Sequence, residues 1–194
     1  MINKRFFTLG IIFLCLFSFV NAETMKEGSL KEPNEKRIIL VGKVSLKNPI
    51  DLKAIEAAFC SKGMKALQIG MKQDNFYIIN DDNYPENAPD FGETFFYVVK
   101  KNKDNTYYIN NFTGSIFSTI NPWYKFALPA GVKIVVPEDV KYVYIGNFEY
   151  DLDYALRVVE FNHYDEYSLA QKELNRAMGK EVDLVRGRIS FPEK

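Results

Sequence analysis

Apolar and polar positions alternate with a period of two along most of this chain, the spacing that places successive side chains on opposite faces of a strand. The pattern is densest between Val140 and Gly179. Residues 141–150 (KYVYIGNFEY) are rich in Tyr, Val, Ile and Phe, which pack well on a pleated, half-buried surface. Strict alternation puts Val143 and Ile145 on one face and Tyr142, Tyr144, Phe148 and Tyr150 on the other, so both faces require an apolar cover. Asp151-Leu152-Asp153-Tyr154 interrupts the run with short polar side chains, and residues 155–161 resume it, which predicts a hairpin.

The period then changes. Tyr167, Ala170, Leu174, Ala177 and Met178 recur at helical spacing, Asp165 is placed to cap the first turn with Tyr164 stapled on Leu169, and Gly179 can end the helix in a left-handed conformation. A closing strand follows at 182–191. Upstream, residues 37–46 read as a first strand with Gly42 at a bulge or close approach, and Asn48-Pro49 opens a short helix carrying Leu52, Ile55 and Phe59. Residues 66–71 and 76–80 form one hairpin. Residues 94–101 and 106–112, joined by Asn102-Lys103-Asp104-Asn105, give the clearest hairpin signal in the chain. Asn121-Pro122-Trp123 marks a turn. Residues 124–128 and 132–136 flank a Pro129-Ala130-Gly131 turn. About nine short strands and two helices, one of them between the last two strands, indicate a mainly β, antiparallel β-sandwich.

The amino terminus breaks this pattern. Lys4 and Arg5 precede an apolar run from Phe6 to Val20, and Val20-Asn21-Ala22 has small residues where a signal peptidase reads, so residues 1–22 are read as a secretory signal peptide. The run is shorter than the 20 or so residues that span a bilayer. Residues 23–36 are polar and read as a flexible leader, leaving 37–194 as a single domain. The 194-residue chain has 25 basic and 25 acidic residues, and the signal removes two basic ones, for a mature charge of −2. That balance offers no field for nucleic acid. Beyond the signal no long apolar run remains, so no transmembrane segment is expected after cleavage. Cys60 is the sole cysteine beyond the signal, which excludes an internal disulfide within that part of the chain.

The runs LPAGVKIVV and YVYIGNFEY resemble a pattern in uncharacterised secreted bacterial proteins with a prealbumin-like or carboxypeptidase-regulatory-like β-sandwich. The resemblance covers about residues 126–150. It implies an envelope-associated binding or accessory module, and it transfers no catalytic residue.

Chemistry is sparse. His163 is the only histidine, so a zinc site with two histidines is excluded. No Walker loop, GxSxG, GxGxxG or CxxC occurs, and no cofactor is expected. The loop at 80–93 carries Asp81, Asp82 and Asp90, the weak candidates for a calcium site, without the regular spacing of an EF-hand. Arg186 and Arg188 alternate on the closing strand and, with Arg157, could dock a carboxylate or phosphate. Tyr142 and Tyr144 could stack on a sugar or fill a partner's groove. The leading expectation is thus an exported, non-catalytic binding or accessory module of the bacterial cell envelope, in the periplasm or secreted, with an envelope protein or carbohydrate as partner. One alternative is a carboxylate-dependent hydrolase using Asp151 with Asp153, or Asp153 with Glu160. The other is a structural envelope protein that self-associates through an edge strand.

Overall fold

The computed structural model describes residues 27–48, 50, 65–73, 76–79, 91–116 and 124–192. Among them the chain is mainly β, in the order β1 (Arg37–Leu46), β2 (Lys65–Gln73), β3 (Phe76–Ile79), β4 (Thr94–Lys100), β5 (Thr106–Ile116), β6 (Tyr124–Val135), β7 (Tyr142–Leu152), β8 (Val158–Tyr164), helix α1 (Tyr167–Met178), β9 (Val185–Arg186) and β10 (Arg188–Ser190). The first helix expected from Asn48-Pro49, the Asn121-Pro122-Trp123 turn, Cys60 and the acidic loop with Asp81, Asp82 and Asp90 lie outside the described residues.

Two five-stranded sheets form. The first runs β4-β1-β7-β8 with β9 also beside β7, and the second runs β10-β6-β5-β2-β3. Most pairs are antiparallel, but β1 and β9 both run parallel to β7. Ile38, Leu40, Val44, Val143, Ile145, Phe148 and Tyr150 of the first sheet share one buried cluster with Tyr107, Ile109, Phe112, Leu128, Val132 and Ile134 of the second. On the opposite face of the first sheet, Ile39, Val41, Tyr142 and Tyr144 meet Ala170, Leu174 and Met178 of the helix. The helical face read from the sequence is therefore the one that is buried, and Gly179, at φ 65°, ends the helix as expected. The cap moves by one residue: the carbonyl of Glu166 accepts the first helical bonds, while Asp165 accepts from the Tyr167 amide.

Three expectations are corrected. Residues 94–101 and 106–112 do not make a hairpin: β4 pairs with β1, and β5 pairs with β2 and β6. The Asn102–Asn105 turn is real, with Asn102 Nδ2 donating to Thr106 O at 2.8 Å, but it carries the chain from one sheet to the other. Turn residues fix a local reversal and leave open which strand each arm joins. Pro129-Ala130-Gly131 is likewise no turn between strands. It lies within β6, opposite a one-residue shift in the β5 register, and the Tyr150 hydroxyl donates to Pro129 O at 3.0 Å. Finally, the closing strand is split in two. Gly187 lies between β9 and β10, its amide donating to Tyr144 O at 2.9 Å, and there the chain steps from the first sheet to the second.

The faces of β7 also differ from strict alternation. Phe148 and Tyr150 join Val143 and Ile145 in the inter-sheet core, leaving Tyr142 and Tyr144 on the helix side. The cause is an extra residue: Val41 pairs with Tyr144 but Gly42 pairs with Gly146, so Ile145 bulges and reverses the phase. Gly146 has φ 96°, which an L side chain tolerates poorly, and a Cβ there would lie 2.0 Å from His163 Nε2. His163 fills that space, donating from Nε2 to Ile145 O at 2.9 Å and stacking edgewise against Phe191. The substitution Gly146→Ala is expected to cost roughly 2–4 kcal/mol in urea unfolding, from the strained φ plus displacement of the imidazole. A loss below about 0.5 kcal/mol, the range of a neutral surface change, would show that the bulge is dispensable.

Candidate functional site

Within the polar stretch ahead of β1, residues 28–32 lie against the carboxyl end of α1. The Gly28 amide donates to Arg176 O at 3.1 Å, an acceptor it shares with the Gly179 amide, and the Leu30 amide donates to Ala177 O at 2.9 Å, one of the last-turn carbonyls that a helix leaves open. Gly28 crosses Gly179 so closely that a Cβ on Gly179 would sit 3.1 Å from Gly28 Cα. Leu30 packs against the cluster beneath the helix. Glu32 receives Lys141 at 2.5 Å and Lys180 at 3.0 Å.

Tyr142 and Tyr144, expected as exposed binding rings, are both buried in that cluster. Tyr144 accepts from the Glu166 amide and meets Tyr167 edge-on, so it serves to seat the helix. The Tyr142 hydroxyl is different. It is buried and has no hydrogen-bond partner among the described residues. Burial, and secondarily the negative charge of Glu32, push the Tyr142 phenol up.

The three arginines are not brought into one anion site. Arg186 donates to Asp165 Oδ2 at 2.9 Å and lies 3.9 Å above the Tyr167 ring; Arg157 binds Asp153; Arg188 lies on β10, in the other sheet. Arg186 thereby secures the helix start, holding the Asp165 carboxyl below its usual range with help from the Tyr167 amide.

The carboxylate pairs are neutralised in the same way. Asp151 and Glu160 face each other across β7 and β8, bridged by Lys47 at 3.6 and 2.7 Å. The Arg157 amide and guanidinium hold the Asp153 carboxyl down, as Lys47 does Glu160. Among the described residues every carboxyl with a displaced pKa is lowered, the reverse of what a general acid near neutrality requires.

The β7–β8 turn is built around one carboxylate. Asp153 Oδ1 accepts from the Ala155 amide at 2.9 Å and the Arg157 amide at 3.0 Å, its other oxygen takes the Arg157 guanidinium at 2.7 Å, and Asp153 N donates to Arg157 O at 2.9 Å. Leu156 is held at φ 59°. The loop so fixed projects Tyr154, which is 97% exposed, and Val159 stands 62% exposed on the adjacent edge strand. A tyrosine count does not distinguish Tyr154 from its buried neighbours. The readable signal was Asp153 followed by Arg157 at the spacing that closes a turn around one carboxylate.

No family model, curated protein or solved structure matches this chain.

Two expectations follow from the Glu32–Tyr142 region. Lys141 and Lys180 hold Glu32 down, from 4.5 to about 2. A depressed carboxyl contributes stability present above its unfolded pKa and lost as pH falls through the folded one. Docking of residues 27–32 should therefore weaken between pH 4.5 and about 2, visible as a shift of the Leu30 amide resonance, and Glu32→Gln should remove that pH dependence. Because the Tyr142 hydroxyl is buried without a partner among the described residues, Tyr142→Phe should raise stability by about 1 kcal/mol in denaturant unfolding. A loss of similar size would mean that the hydroxyl is hydrogen-bonded in solution.

Proposed function

We propose that this protein is an exported, non-catalytic binding or accessory module of the bacterial cell envelope, built as a prealbumin-like β-sandwich and delivered by its amino-terminal signal. The observation that carries the reading is the β7–β8 turn. A tyrosine held almost fully in water gains nothing for folding, while the surrounding hydrogen bonds fix the backbone of the turn that carries it. Such preorganisation lowers the entropy lost on association, and tyrosine is among the residues that dominate interface energies. A single ring on a convex turn suits a pocket in a partner protein. Sugar recognition would instead want several rings and convergent polar groups around a cleft. The lowered carboxyl pKa values weigh against the hydrolase alternative.

The test places a photo-crosslinking amino acid at Tyr154, with Lys103 on another exposed turn as the control position. A discrete protein adduct in intact source cells, found only at position 154, is the expected result. Asp153→Ala, which frees the turn, should reduce the yield severalfold without altering the circular dichroism. Equal adducts at both positions, or none, would remove the basis for the reading.

A further inference from the structure

The seam at the carboxyl end of α1 has the parts of a peptide site. Carbonyls of Arg176 and Ala177 accept from amides two residues apart, an apolar socket takes Leu30, and Lys141 with Lys180 clamps a carboxylate two residues further on. At the crossing, Gly28 has φ 71°, a conformation glycine adopts freely, and a Cβ on Gly179 would sit 3.1 Å from Gly28 Cα, so the helix side of the seam is kept bare for the passing backbone. One buried donor, the Tyr142 hydroxyl, is left unused by the segment in place. That segment is held by two backbone bonds, one partly buried leucine and ion pairs at an exposed glutamate. Exposed pairs of this kind contribute little and are screened by salt, so the attachment is among the weakest in the fold.

We propose that this seam is a peptide-binding cradle which residues 27–32 fill in cis, and which accepts in trans the same segment from a second copy of the chain. Every copy carries the one sequence on the page that fits, Gly28 through Leu30 to Glu32, so exchange between copies recreates each contact and forms no new ones. The connection to β1 is a tight turn, Lys36 N donating to Asn34 Oδ1 and Arg37 N to Asn34 O. Whether the segment folds back or crosses over is decided at that turn. An attached segment competes at an effective concentration of about millimolar, so the cis form dominates for the dilute chain. This inference is independent of the β7–β8 turn.

The test uses the full chain with its own segment disabled by Leu30→Asp and Glu32→Lys, and a fluorescent peptide of residues 27–34 (EGSLKEPN) as the probe. Saturable binding is expected, weakened roughly tenfold by Lys141→Glu with Lys180→Glu, and restored when the peptide carries lysine in place of Glu32. That rescue by charge exchange distinguishes the cradle from general stickiness. Deleting Asn34 and Glu35 in the otherwise unaltered chain should prevent folding back and give a dimer by sedimentation. If the disabled chain does not fold, the wild-type chain decides the matter: millimolar peptide should speed hydrogen exchange at the Gly28 and Leu30 amides severalfold. A disabled but folded chain that ignores the peptide, a monomeric deletion variant, or wild-type exchange unaffected by peptide would each overturn the proposal.

Discussion

Burial of β7 on both faces is the constraint from which the architecture follows. The strand must give one set of side chains to the core between the sheets and another to the helix. Strict alternation would divide its aromatic residues differently and leave Phe148 and Tyr150 facing away from the second sheet. The one-residue bulge at Ile145 corrects the phase, and it exists because Gly146 adopts a positive φ beneath the His163 ring. The lone histidine, the obvious place to look for chemistry, thus acts as packing. Its ring stands where any Cβ would have been.

Around β7 the remaining elements close in layers. Helix α1 seals the outer face, anchored at its start by Arg186, Asp165 and Tyr167 and at its end by residues 27–32. Gln171 and Asn175 bind the backbone of the following loop, with Gln171 Nε2 donating to Val182 O at 2.8 Å and Asn175 Oδ1 accepting from Val182 N at 3.1 Å. The loop thereby delivers β9 to the edge of β7. One step later β10 reaches β6, joining the two sheets along one side.

Local features were legible in the sequence to the extent that local physics determines them. The helix from Tyr167 to Met178, its glycine stop, the β7–β8 hairpin and the first strand all follow from periodicity and capping residues. Pairing across the chain was not legible. The Asn102–Asn105 turn has the same chemistry whether it closes a hairpin or crosses between sheets, and Pro129-Ala130-Gly131 looks the same as a turn or a bulge. Site residues fared similarly. Tyr142 and Tyr144 are inseparable from exposed tyrosines by composition, and only the bulge and the helix above them determine their burial. The docking of Leu30 and Glu32 could not be foreseen, because the groups that receive them lie more than 100 residues away in sequence.

The parallel pairing of β1 with β7 has a kinetic meaning. Ser45 and Asn147 hydrogen-bond across the ladder at a separation of 102 residues. Closing so large a loop comes before any of the contacts it makes possible, so completion of the first sheet waits on a long search through the chain. Until then β1, with its unbroken apolar run from Ile38 to Val41, can pair only with β4 and leaves its other edge open. The fold therefore passes through a state in which a strand that ends covered on both faces still offers an open edge.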